Sequence, residues 1–159
     1  QSAILNARIF AVSVNFFLGS IVPLIKPFRG LRPVSEHATD VAAPPYDVLN
    51  AAEARSLATG KPWSFLHISK AEIDLPLDTD PYAPAVYQKA ADNLGRMIDA
   101  GVLRRDAQAC FYAYRLEMDA HTQTGLVAVA SVAAYDAGRV RRHEFTRPDK
   151  EDDRVRQIE

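Results

Sequence analysis

Apolar residues recur at Tyr87, Ala91, Leu94 and Ile98 with spacings of 4, 3 and 4, the interval at which one face of an α-helix returns. The spacing predicts a helix capped by Asp80, with Pro81 at its first position and Gly101 as its stop; the stripe is expected to face the core. A shorter helix is expected downstream of Pro44-Pro45-Tyr46-Asp47. Asn50 is its cap, Glu53 stands at the third helical position, Ala54, Leu57 and Ala58 supply the apolar side, and Gly60 ends it. The two prolines hold the backbone extended, and Asp47 is placed to accept from N–H groups two or three residues on.

Strand patterns dominate the second half. Residues 65–69 read as a short strand, and the aromatic-rich run 110–117 as a longer one, followed by a turn at 122–125. Residues 126–135 form a nearly continuous apolar run, the pattern of a central strand covered on both faces. Asp136-Ala137-Gly138 is then a hairpin turn with Gly138 at positive φ, and 139–145 returns as a strand. Nine of the ten prolines fall between Pro23 and Pro84, which makes the first half loop-rich. The expected class is α+β, an antiparallel meander in the second half with helices packed on one side.

The stretch from Ile9 to Ile25 carries no charge, but Ser13, Asn15, Ser20 and Pro23 interrupt it. It falls short of the roughly 20 apolar residues a spanning helix needs. It reads instead as a first strand or helix, or, over residues 1–21, as an upstream extension.

Composition narrows the function classes. With 159 residues, 48% hydrophobic and 25% charged, the chain matches a soluble globular domain, expected over residues 22–159, with a cytoplasmic location and no membrane partner. A net charge of −1 disfavours nucleic acid as a partner, since nonspecific binding draws on a basic excess. Cys110 stands alone in Ala109-Cys110-Phe111-Tyr112, so it reads as a small buried hydrophobe, with no disulfide or thiolate metal site. The seven glycines are never separated by a single residue, and neither a dinucleotide fingerprint nor a Walker phosphate loop is present. His37 and His121 show no metal-ligand spacing, and no metal site is expected. Trp63 and His67 are expected in the core or at its rim.

Charge concentrates at the end of the chain. Residues 139–159 hold 13 of the 39 charged side chains, seven basic and six acidic. One reading is a solvated strand leading into an exposed helix with modest side-chain pairing. The other begins from alternation on the expected strand, which puts Arg142 and Glu144 on one face and His143 and Phe145 on the other. Glu144 is then either an ordinary ion-pair residue or a functional carboxylate. Asp47 is likewise either a turn former or part of a site in which Tyr46 stacks on a ligand.

Three motifs stand in a recognisable order: Pro27-Phe28-Arg29-Gly30-Leu31-Arg32, Ala42-Ala43-Pro44-Pro45-Tyr46-Asp47-Val48 and Arg142-His143-Glu144-Phe145-Thr146, with Lys150 and Asp153-Arg154 after the last. In this combination the chain resembles family 1015 of the domains of unknown function, from about Val22 onward. Members are usually much longer and carry an Asp-Gly-His-His-Arg motif that would lie past Glu159, so the resemblance implies an amino-terminal portion. The family is distantly similar to the free-serine kinases of the ParB/sulfiredoxin-like fold. That likeness implies a phosphotransferase acting on a free hydroxy amino acid, with ATP or ADP and Mg²⁺, and inactive as this portion alone.

Phosphoryl transfer asks for a base within reach of the hydroxyl and for cations that meet phosphate oxygens. Glu144 matches the general base. Arg142, Lys150 and Arg154 are candidate phosphate donors, and His143, Thr146, Tyr46 and Asp47 are candidate substrate contacts. The competing expectation is a non-catalytic binding or protein-interaction module that docks through the charged end of the chain.

Overall fold

The computed structural model describes residues 6–12, 24–141 and 148–159. In chain order the elements are β1 (Asn6–Val12), β2 (Ile25–Lys26), β3 (Leu31–Pro33), α1 (Ala38–Val41), α2 (Ala51–Ala58), α3 (Leu66–Ser69), α4 (Pro84–Asp99), β4 (Leu103–Arg105), β5 (Phe111–Met118), β6 (His121–Val127), β7 (Val129–Ala130), α5 (Val132–Asp136) and α6 (Pro148–Ile158). Short 3₁₀ turns occupy Ser35–His37, Tyr46–Val48 and Ala71–Asp74. The class is α+β. The chain divides into two compact units, Gln1–Gly30 with Arg105–Glu144 and Leu31–Arg104 with Phe145–Glu159.

The first unit is built on a three-stranded antiparallel sheet in the order β1-β5-β6. The aromatic strand β5 is central. It pairs from Asn6↔Glu117 to Val12↔Phe111 on one side and from Tyr112↔Val127 to Met118↔His121 on the other. That register moves the expected turn. Residues 122–125 lie inside β6, and the reversal is the two-residue loop Asp119-Ala120, with Asp119 at φ 52°. A side chain that bonds its own backbone tolerates the left-handed conformation such a loop requires.

The apolar run 126–135 is not one buried strand. It breaks after β6, resumes as β7 paired with β2, and ends in α5, where the Ser131 hydroxyl accepts from the Ala134 amide 3.2 Å away. Leu126 is 62% exposed and Val132 75%. Gly138 does adopt positive φ, yet as the C-terminal cap of α5. Its N–H donates to the Tyr135 carbonyl and the Arg139 N–H to that of Ala134, the Schellman arrangement rather than a hairpin. Residues 139–141 are irregular, and the remainder of the expected return strand lies outside the described residues.

The second unit is mainly helical. Its α2 forms as expected, with a reciprocal capping box between Asn50 and Glu53 and with Ala54 and Ala58 buried, while Leu57 is exposed. The long helix starts three residues later than predicted. Asp80 instead closes a turn by accepting from the Tyr82 amide, and Pro84 takes the first helical position. Its buried line is Val86, Ala90, Asn93 and Met97, one position off the predicted stripe, and Ile98 is exposed.

Residues 65–69 are helical rather than extended. Leu66 joins Ala54, Ala58 and Ile73 in one apolar cluster, whereas Ile68 joins Val41, Met97, Val102 and Leu103 in another. Single-turn α3 thus serves two cores from opposite sides. Each fully buried side chain such as Leu66 or Met97 contributes about 1.5–3 kcal/mol.

Candidate anion-binding cleft

An amphipathic surface helix normally turns its apolar side inward. In α6 the positions that line the first cavity are Lys150, Asp153 and Gln157, at helical spacings, while Val155 is 48% exposed and Ile158 86%. The polar side of α6 closes a cavity of about 360 Å³. Opposite it stand Tyr46 from the 3₁₀ turn after the double proline and Arg55 from α2. Lys70 and Glu72, which follow α3, form the floor, and Tyr82 and Tyr87 flank α6.

The charges of this cleft do not balance. Lys70 Nζ lies 2.9 Å from Glu72 Oε1, and the two side chains are only 14% and 10% exposed, so they neutralise one another. The Arg55 guanidinium donates to three backbone carbonyls, those of Ile73, Glu72 and Leu75, at 2.9, 2.8 and 2.7 Å. Those carbonyls fix its geometry without cancelling its charge, and its Nη1 has no partner among the described residues. Lys150 is half-buried and also unpaired among the described residues. Asp153 is engaged, accepting from the Tyr87 hydroxyl at 2.8 Å. Burial, followed by the Asp153 carboxylate, raises the Tyr87 phenol above its ordinary range, while Arg156 pulls the other way. The phenol therefore stays protonated and acts as a donor.

Arg55, Lys70 and Lys150 against Glu72 and Asp153 leave the lining one positive charge in excess. Such a site, set among aromatic rims, suits an anion of metabolite size, because charge-assisted N–H···O bonds are the strong ones. Among the described residues no three His, Cys, Asp or Glu side chains gather closely enough to hold a metal ion.

A second hollow, about 690 Å³, runs along α4 between Ile68 and the end of α6. Tyr87, Ala91 and Leu94 line it. The stripe predicted to be core therefore borders a groove, with Leu94 only partly packed against the cluster around Met97.

Of the expected site residues, Tyr46 and Lys150 line the cleft. Asp47 is exposed and outside the lining, and no hydrogen bond to it occurs among the described residues. Arg154 is exposed on α6 and also outside the lining. Arg142, His143, Glu144 and Thr146 lie outside the described residues. Arg55, Lys70 and Glu72 carry no sequence signal for a site, whereas Tyr87 is read as part of a core stripe and Asp153 as part of a motif without a role of its own. The available signal was the polar line at positions 150, 153 and 157, a helical period in charged side chains with no apolar line of comparable length beside it.

The model of one family, described as Protein of unknown function (DUF1015), matches residues 25–159. The chain belongs to that family. The DUF1015 match takes in every residue that lines the cleft and begins beyond β1. No curated protein and no solved structure matches the chain. In this DUF1015 protein no helix among the described residues is long and apolar enough to cross a membrane.

Proposed function

We propose that this chain is the amino-terminal portion of a small-molecule phosphotransferase and that its cleft holds an anionic group of substrate or nucleotide. The reading rests on one observation. Arg55 and Lys150, neither in an ion pair among the described residues, give the cavity a net positive charge even after Lys70, Glu72 and Asp153 are counted. Preorganised cations of this kind neutralise transferring phosphate. The resemblance to free-serine kinases adds the chemistry. The substrate hydroxyl oxygen attacks the terminal phosphorus of ATP or ADP, its proton passes to Glu144, and the shortened nucleotide leaves. Mg²⁺, when bound with the nucleotide, would offset phosphate charge.

The alternative is a non-catalytic binding module. It is favoured by the exposed apolar side chains Val155 and Ile158 on α6.

The two readings separate on one measurement. In the full-length gene product, Glu144→Gln should abolish phosphoserine formation from serine, Mg²⁺ and nucleotide while leaving the fold and inorganic-phosphate binding intact. Unchanged turnover removes the kinase reading. The 159-residue chain alone should bind phosphate, weakly enough that Lys150→Gln lowers the affinity by about tenfold, and should form no phosphoserine.

A further inference from the structure

Helix α6 is attached to its unit in an unusual way. Its inward line is polar, one cavity opens beneath Lys150 and Asp153, and the second opens beneath Arg156 and Ile158. Between the two hollows the Tyr87 hydroxyl donates to Asp153 Oδ1 at 2.8 Å. None of the three apolar clusters of this unit includes a residue of α6. A segment with few buried apolar contacts opens locally at a free energy well below that of global unfolding. The same helix carries Lys150, one of the cleft's two cations without an ion-pair partner among the described residues, while the other, Arg55, is fixed to the carbonyls that follow α3.

We infer that α6 is a ligand-operated strap. It is held shut in the free protein by the Tyr87–Asp153 bond and clamped when an anion bridges Lys150 on the strap to Arg55 on the body. This deepens the anion-binding reading and rests on it. An anion that contacts both cations binds the closed arrangement and not the open one, so its differential affinity shifts the closing equilibrium. Opening exposes the cleft and gives the ligand its route in and out. The chemical class is fixed by the two cations: a compact anion with oxygens on more than one side, as in a phosphate group. The two cavities share Tyr82, Tyr87 and Gln157, so undocking of α6 merges them.

Amide hydrogen exchange on the whole chain tests the strap, with inorganic phosphate as probe and sodium chloride of equal ionic strength as control. Without phosphate, amides of α6 should exchange much faster than those of α4, and Tyr87→Phe or Asp153→Asn should accelerate α6 alone. Saturating phosphate should slow α6 exchange about tenfold, and Lys150→Gln should remove that effect. If α6 is as protected as α4 before phosphate is added, the strap is wrong. If phosphate shifts the side-chain resonances of Arg55 and Lys150 but leaves α6 exchange unchanged, the strap again fails while the anion site stands. No binding at millimolar phosphate overturns the anion site and the strap together.

Discussion

The Tyr112 hydroxyl oxygen lies 2.6 Å from the amide nitrogen of Gly30, across 82 positions of sequence. It accepts that N–H, gives its own proton to Asp106 Oδ2 at 2.6 Å, and has the Phe28 carbonyl at 3.1 Å as a further acceptor. The side chain is 2% exposed, and its ring stands 5.0 Å from that of Phe28. One phenol thus ties the Phe28–Gly30 segment to β5 within the first unit. The approach leaves no room at residue 30, where an added Cβ would stand 2.7 Å from the Tyr112 oxygen and 2.9 Å from Cζ.

Gly30→Ala should therefore destabilise the first unit by about 1–3 kcal/mol, the usual cost of forcing atoms into a filled site. Tyr112→Phe should cost a similar amount, about 1–3 kcal/mol, because the Gly30 N–H is left buried without an acceptor. The double variant should lose less than the sum, since the clash and the hydrogen bond involve the same oxygen. Urea midpoints of the four proteins check this, and strict additivity would contradict the contact.

Alkaline pH should act through the same oxygen. Burial first, and then the Asp106 carboxylate, raise the Tyr112 phenol above its ordinary value. The folded state thus holds this proton more tightly than the unfolded chain, whose tyrosines titrate near about pH 10. The associated stability is complete below that pH and is lost as pH climbs through the higher folded value. Phenolate absorbance should show Tyr112 ionising late and together with unfolding of its unit, and Tyr112→Phe should flatten the alkaline fall in stability.

In the second unit, Asn93 is 4% exposed and donates to the His67 carbonyl at 2.7 Å and to Asp74 Oδ2 at 2.8 Å. Asn93→Leu keeps the branched shape but removes the donor to the His67 carbonyl and one of the partners of Asp74, which retains His67 Nδ1. A loss of about 1–3 kcal/mol is expected, measured as a lower thermal midpoint despite the more apolar side chain. An unchanged midpoint would show that the pattern of burial alone, and not the hydrogen bonds, holds this corner.

Cys110 should be chemically silent while the protein is folded. It is 9% exposed, and its backbone exchanges both hydrogen bonds with Phe28. Alkylation followed by mass spectrometry should track unfolding across a urea series, because a thiol must be exposed and ionised to react. Rapid modification in the absence of denaturant would place the sulfur at the surface.

Local chemistry was the legible part of the fold. The α2 capping box could be read because Asn50 and Glu53 interact only with each other's backbone. The class and the aromatic strand β5 followed from composition and period. The α4 stripe was misplaced by one residue because Asn93, a polar side chain satisfied by partners 26 and 19 residues away, belongs to its buried line. Residues 65–69 imitate a strand, since Leu66 and Ile68 are both buried and lie two apart; what periodicity does not register is that they enter different clusters. The run 126–135 hid a cap, Ser131, among alanines and valines that suit either helix or strand. At the cleft, Tyr46 and Lys150 could be picked from the chain because they sit in motifs. Arg55 could not, because its meaning depends on which side of a helix is turned toward a hollow; Asp153 stands in a motif, but its place in the lining depends on the same thing.

The units interleave along the chain, with residues 105–144 of the first set between the two segments of the second. A ribosome delivers some 5–20 residues each second, so α2, α3 and α4 emerge seconds before the helix that completes their cleft. During synthesis Arg55 faces water with no roof above it. The nascent chain thus passes through an interval in which the scaffold exists and the pocket does not.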